Sequence, residues 1–334
     1  MEYIEINGAQ VSRIGLGTWA IGGSEWGEVD EDDAVRTCLA IFNHGINLID
    51  TAPIYGQGRA EEVIGKAMRK HGHREEFYIA TKCGLDWTGC GAGGNVVTDS
   101  TLPRIEQELK DSLSRLGTSY IDLYQVHWPD PLAPMEEVAG LFARYLHDGR
   151  IRAIGVSNFS AAQMDAFRTI APIHTNQPPY NIFERAVEAE VLPYCRKHGM
   201  HVLTYSSLCR SLLGGRLRPE MQFAAGDIRA EDPKFQPPRF AQYLAAVSRL
   251  NALAEQHYQQ HVLELAVRWV LDRPGVSAAL WGARHPSQLA PVSRVFDWHL
   301  DARALQSIDA IVEQAVKDPI GPEYLTPGVR SQVP

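Results

Sequence analysis

Several apolar runs in this chain stop on a side chain that can carry charge or move a proton. Leu48-Ile49 runs into Asp50, Phe77 to Thr81 into Lys82, Ile121 to Val126 into His127, and Ala153 to Val156 into Ser157-Asn158. His174 to Asn176 ends at Gln177 and His201 to Thr204 at Tyr205, while the short break Ala52-Pro53-Ile54-Tyr55-Gly56 beyond Asp50 presents a tyrosine. Taken singly, each has an ordinary explanation: Lys82 could snorkel, His127 could be a satisfied half-buried histidine, Gln177 could open a loop. Taken together, at the same end of successive strands, they read as one constellation.

Their chemistry is mutually consistent. A carboxylate at the mouth of a buried strand needs a cation, which makes Lys82 the partner of Asp50. An ammonium about 4 Å from the Tyr55 hydroxyl would favour the phenolate by about 4 kcal/mol at an effective dielectric near 20. At 1.36 kcal/mol per unit, that moves a tyrosine from about 10 towards 7. A phenol so tuned can protonate a developing alkoxide near neutral pH. His127 would hydrogen-bond the substrate oxygen and fix its direction. The set is a proton donor that lacks only a hydride source.

The elements that must position these groups alternate regularly. Counting Ile14–Thr18 as the first, eight strand candidates are separated by amphipathic helices, among them 102–116, 135–147, 185–198 and 240–260. Such alternation means parallel strands with helical crossovers, and eight units with no evident edge suit a (β/α)8 barrel. An open doubly wound sheet is the alternative. Asn7-Gly8 between two short strands forms a hairpin, so residues 1–13 should cap one end of the barrel. Extra helices follow the last strand. We read 1–334 as one domain, with a covering loop over 207–239 that is too long for a plain connection, and an irregular Pro/Gly tail over 318–334 that either crosses the pocket or trails over the surface.

Composition narrows the function. The formal net charge of -8 leaves no basic stripe for nucleic acid or anionic lipid, and no apolar stretch is long enough to span a bilayer. The start Met1-Glu2-Tyr3-Ile4-Glu5 has no secretory pattern. Five scattered cysteines without a C-x-x-C pair, Cys90 among them, read as reduced thiols of a cytoplasmic protein, with no metal expected.

With these residues in place the chain resembles the aldo-keto reductases, and within them a bacterial branch, family 11. Asp50, Tyr55, Lys82 and His127 match the catalytic tetrad in order and spacing. The resemblance runs from Ile14 to about Val316 and implies NADPH bound without a Rossmann fingerprint, NADH being possible. It implies that Ser157, Asn158 and Gln177 grip the nicotinamide amide, that Tyr205 stacks under its ring, and that Thr18, Trp19 and Asp50 touch it. It places Ser206, Leu208, Arg210, Gly214 and Arg216 over the pyrophosphate, and Gly282, Arg284, Ser287 and Gln288 at the adenosine end. Arg284 and Ser287, one turn apart at a helix start, could hold a 2′-phosphate. One departure is Ala290-Pro291-Val292, where many relatives carry an acidic residue and an asparagine.

The implied activity is reversible reduction of a small aldehyde or ketone, with Tyr55 as acid, and alcohol or polyol oxidation as its reverse. Trp19, Trp26, Trp87 and Trp128 lie on loops at the active end; a pocket they line would be narrow and aromatic, suiting short substrates. The alternative is a cofactor-sensing subunit on the same barrel, of the kind that accompanies ion channels. The string Tyr78-Ile79-Ala80-Thr81-Lys82 imitates the Y-x-x-x-K of short-chain dehydrogenases, but that chemistry needs a helical turn and this segment is strand-like. Oligomeric state is not readable.

Overall fold

The computed structural model describes residues 1–23, 25–88 and 96–330. Eight parallel strands close into a barrel: β1 (Ile14–Gly17), β2 (Leu48–Asp50), β3 (Tyr78–Cys83), β4 (Ile121–Val126), β5 (Ile151–Ser157), β6 (Thr175–Gln177), β7 (His201–Thr204) and β8 (Ala278–Gly282). Closure comes from β8 pairing with β1, where Gly282 lies opposite Gly17. The open sheet is thereby excluded.

The interior is filled by Leu48, Tyr78, Ala80, Leu123, Ala153, Leu203, Ala278 and Leu280, all buried. Room for this layer depends on the small residue at position 15, because a Cβ there would lie 2.6 Å from the Leu48 side chain. The hairpin of Tyr3–Ile6 and Ala9–Ser12, turned through left-handed Asn7 and Gly8, sends Ile6 and Val11 into the floor. Burying a side chain of this size stabilises the fold by about 1.5–3 kcal/mol. A second, larger apolar layer packs the helices against the outside of the sheet.

Most predicted helices form with their expected ends. Two differ because of proline. The helix expected over 185–198 is instead a short 3₁₀ turn, Ala186–Glu188, and a helix restarting at Val191–Lys197. Pro193 has no N–H for a bond to residue 189, so it is tolerated only in a first turn. Likewise Pro291 lies inside Pro286–Val295, which winds as a 3₁₀ helix. The loop over 207–239 carries a short helix, Ile228–Glu231, whose Ile228 N–H donates to the Glu25 carbonyl at 3.0 Å.

A small sheet not foreseen in the sequence sits at the strands' C-terminal end. Val97–Thr98 pairs antiparallel with Leu85–Asp86 and parallel with Gly328–Val329 from the tail. Arg330 then reaches the carboxylates of Asp99 and the buried Asp130. The tail therefore crosses the barrel mouth. Ser24 and Cys90 fall outside the described residues, as does the end of the tail; Cys38, Cys83, Cys195 and Cys209 are buried free thiols. Among the described residues no helix is long and apolar enough to cross a membrane.

Candidate active site

Asp50 closes β2, and its carboxylate is saturated by the neighbouring strands. Both oxygens accept from Lys82 Nζ, at 2.9 and 2.8 Å, and Oδ1 also accepts from Gln177 Nε2 at 2.7 Å. Lys82 is fully buried, and its ammonium further meets the Thr51 carbonyl at 2.8 Å and the Tyr55 hydroxyl at 3.3 Å. An ammonium has three protons to donate, so Asp50, Thr51 and Tyr55 complete its needs.

Tyr55 reaches this position because the loop after β2 turns back on itself. Gly56 is left-handed and packs directly on Gly22; a Cβ on Gly56 would sit 2.2 Å from the Gly22 carbonyl oxygen. The same loop sets the Tyr55 ring 6.2 Å from the Trp19 ring, nearly parallel, and 6.0 Å from His127, edge to face.

The electrostatics differ from the expectation of a phenol near 7. Withdrawal from water, then the Asp50 carboxylate, raise the Tyr55 phenol well above its ordinary value. Lys82 cannot offset this as a lone cation would, since Asp50 neutralises it at 2.8 Å. Burial lowers Lys82 itself, against the pull of Asp50. Burial and then the Lys82 charge lower His127 well below 6.5. Tyr55 is thus protonated and His127 a neutral imidazole at physiological pH.

A chain of hydrogen bonds ties the remaining strand-end residues to this core. Ser157 Oγ donates to the Gln177 carbonyl at 2.7 Å, Asn158 Nδ2 to the His127 carbonyl at 3.1 Å, and the Tyr205 hydroxyl to Asn158 Oδ1 at 2.9 Å. Asn158 holds this place with φ of 63°, a left-handed conformation that asparagine tolerates better than most residues.

Two hollows meet at these residues. The larger, about 520 Å³, is lined by Tyr55, His127, Trp19, Trp128, Asn158 and Gln177 at its base. Its outer wall is Ile228, Glu231 and the tail residues Tyr324 to Gly328. The smaller, about 190 Å³, is a groove from Asp50, Thr18 and Tyr205 along Ser206, Leu208 and Arg210 to Gly282, Arg284 and Gln288. Trp19, Tyr55 and Tyr205 line both.

Some expected residues are placed otherwise. Trp26 lines the groove instead of the larger cavity. Trp87 lines neither; Arg104 stacks over it at 5.1 Å. Gly214, Arg216 and Ser287 also lie outside the groove lining, with Arg216 and Ser287 exposed. Arg210 borders the groove, but its guanidinium is buried against Asp232, at 2.7 Å, and Glu184, with Lys234 joining Glu184 at 2.8 Å. It holds the loop closed more than it offers a free charge. Gln288 caps its own helix start, accepting from Arg284 N at 2.7 Å, and Arg284 Nη1 donates to the Trp26 carbonyl at 2.6 Å. Ile228, Glu231 and Glu25 were not foreseen. The tail, for which the sequence allows either crossing the pocket or trailing over the surface because its two-residue strand is too short to show a period, lines the cavity.

The groove's chemistry suits a dinucleotide. Arg284, which meets a backbone carbonyl and not a carboxylate, borders it together with the Ser206, Ser207 and Ser211 hydroxyls, donors for an anionic diphosphate, while Arg210 and Arg229 on the same border are already paired with carboxylates. Ser206, Cys209, Arg210 and Ser211 are all left-handed, a concentration of strain of the sort found at ligand clamps.

Comparison with known proteins agrees. Residues 13–313 match the model of the aldo/keto reductase family. The chain is 50% identical over 335 aligned residues, spanning all of both chains, to aldo-keto reductase YhdN of Bacillus subtilis (strain 168). It is 36% identical over 290 residues to an NADH-specific methylglyoxal reductase of Escherichia coli (strain K12), covering 84% of this chain and 88% of that one. Among solved structures, the glycerol dehydrogenase AKR11B4 from Gluconobacter oxydans superposes with a TM-score of 0.87 at 47% identity, covering 96% of this chain and 98% of that one. The branch is consistent with family 11. A closed barrel, a protonated tyrosine beside a buried lysine–aspartate pair, and these likenesses lead to one conclusion: the chain belongs to the aldo/keto reductase family and is a nicotinamide-dependent oxidoreductase acting on carbonyl and alcohol groups.

Proposed function

We propose that this protein reduces small aldehydes and ketones with NADPH, reversibly, using Tyr55 as the general acid. The observation that carries the reading is the Tyr55 hydroxyl, 3.3 Å from Lys82 Nζ and opening on an aromatic cavity beside the groove. When bound, the reduced nicotinamide supplies the hydride. Asn158, Ser157 and Gln177 would hold its carboxamide and Tyr205 its ring, with Thr18, Trp19 and Asp50 alongside. Ser206 and Leu208 would cover the diphosphate, in a loop fastened by Arg210.

The chain's own part is positioning and proton transfer. His127, neutral, donates its ring N–H to the substrate oxygen and so sets the carbonyl's direction. The Tyr55 hydroxyl delivers its proton to that oxygen as negative charge develops on it. The phenolate left behind faces the Lys82 ammonium, which Asp50 keeps in place. Trp19 and Trp128 keep the cavity narrow and exclude water.

Preference for NADPH would rest on Arg284 at the adenosine end, with Ser287 close by in sequence. One relative's name specifies NADH, so both cofactors belong in the test. Purified protein should oxidise NADPH in the presence of DL-glyceraldehyde, followed by loss of reduced-nicotinamide absorbance, and more efficiently than NADH. Faster turnover with NADH would reverse the cofactor assignment. Tight cofactor binding without turnover of any short aldehyde would favour the sensing subunit.

A further inference from the structure

We propose that the larger cavity selects uncharged, hydroxyl-bearing carbonyl compounds and rejects anionic ones, such as keto acids and phosphorylated aldehydes, with Glu231 as the side chain that sets this preference. The inference rests on the reading that a carbonyl is reduced at Tyr55, and it adds the charge class of the substrate.

The charges around the cavity are one-sided. Two carboxylates line it, Glu25 and Glu231, and its described lining contains no lysine or arginine. His127 is held neutral by burial. The nearby cations are all committed elsewhere: Lys82 to Asp50, Arg229 to Asp227, Arg330 to Asp99 and Asp130, Arg104 to Asp86 and Glu108.

The two carboxylates sit on segments that are joined to each other. Glu231 ends the short helix whose first residue, Ile228, donates to the Glu25 carbonyl at 3.0 Å. Glu25 also takes the Trp19 indole N–H at 2.5 Å, so it helps hold that wall, whereas Glu231 is exposed at the mouth. An ionised carboxylate only accepts hydrogen bonds. Its complement on a substrate is therefore a hydroxyl, and a second carboxylate or a phosphate meets repulsion. In the adjoining groove Arg210 and Arg229 are likewise paired with carboxylates, but Arg284 donates to a backbone carbonyl, that of Trp26, and keeps its charge for an anion. Attraction for anions therefore centres on Arg284 in the groove and is withheld from the cavity.

The test compares neutral substrates with anionic ones. Glycolaldehyde against glyoxylate, and glyceraldehyde against its 3-phosphate, are assayed with wild type, Glu231→Gln and Glu231→Lys, using whichever nicotinamide supports turnover. Wild type should favour the neutral member of each pair in kcat/KM, and the preference should shrink as salt is raised. Glu231→Gln should narrow the ratio about threefold, as expected for removing one like charge from an exposed position, and Glu231→Lys further. A role confined to packing would shift both members alike. Wild type handling the anions as well as the neutral compounds, or a ratio unmoved by Glu231→Lys, would overturn the inference while leaving the reductase reading intact. Absence of turnover with every carbonyl would overturn that reading, and the inference with it.

Discussion

The cavity and the groove share Trp19, Tyr55 and Tyr205 yet are built by different rules. The groove is bordered by a coil of left-handed residues and by three arginines, of which Arg210 and Arg229 are paired with carboxylates and Arg284 is held by a backbone carbonyl. The cavity is aromatic and acidic, and its outer wall is tail and loop instead of barrel. Beneath both lie strand ends: Asp50 at the groove, Gln177 at the cavity and Lys82 behind them are buried, joined by hydrogen bonds through Asp50, and fixed by strand register. Chemistry sits where the scaffold is rigid, and recognition sits on segments that can vary around it.

Removing the shared chemistry should cost most. Lys82→Met should lower kcat by roughly 10³–10⁴-fold, since it removes the cation facing the Tyr55 oxygen and strands the Asp50 carboxylate. Cofactor titration by fluorescence should show the groove still binding, because Lys82 lies behind it. A loss of binding equal to the loss of rate would mean the two hollows are not separable.

The loop covering the groove has its own buried cluster, Glu184, Arg210, Asp232 and Lys234, which also takes the Tyr324 hydroxyl at 3.1 Å on Asp232. Asp232→Ala leaves two buried cations with one carboxylate, and should destabilise the protein by about 3–5 kcal/mol in urea unfolding. A midpoint unchanged from wild type would show that the cluster is dispensable. Because Tyr324 lines the cavity, this variant should also raise KM for the carbonyl, linking the two covers.

Arg284→Ala should act on the groove alone, raising KM for NADPH about 10–100-fold with little change for NADH, in line with loss of a charged hydrogen bond. Equal effects on both cofactors would assign Arg284 to holding Trp26 instead. The smallest effect should come from Arg330→Ala, which frees the tail from Asp99 and Asp130: a several-fold rise in KM for the carbonyl, about 1 kcal/mol, with cofactor affinity unaffected.

The proton donor has a pH signature. With the Tyr55 phenol raised well above its ordinary value, kcat for reduction should hold steady through neutral pH, and alcohol oxidation, which needs the phenolate, should speed up as pH rises. A reduction profile that falls with an apparent pKa near 7 would restore the lone-cation picture.

What the sequence made legible follows from locality. Asp50, Lys82, His127, Asn158, Gln177 and Tyr205 stood out because each interrupts an apolar run just before a break, and the barrel register then aligns them. Proline misled at 193 and 291, where helical periodicity continues across a residue that forces a restart or a tighter winding. The tail's strand is two residues long, and its pairing with Val97–Thr98 is set by tertiary contact. Arg210, expected over the pyrophosphate, has carboxylate partners 22 and 26 positions away, out of reach of a local reading. The misjudged tyrosine shows the same limit: Lys82 was weighed as a charge, while Asp50 cancels most of its field.

The most direct test of the account is Tyr55→Phe, with turnover and cofactor affinity measured on the same preparation. Loss of at least about 10³-fold in kcat with unchanged affinity for the reduced cofactor is the expected result. A variant that keeps most of its rate would show that the proton comes from elsewhere.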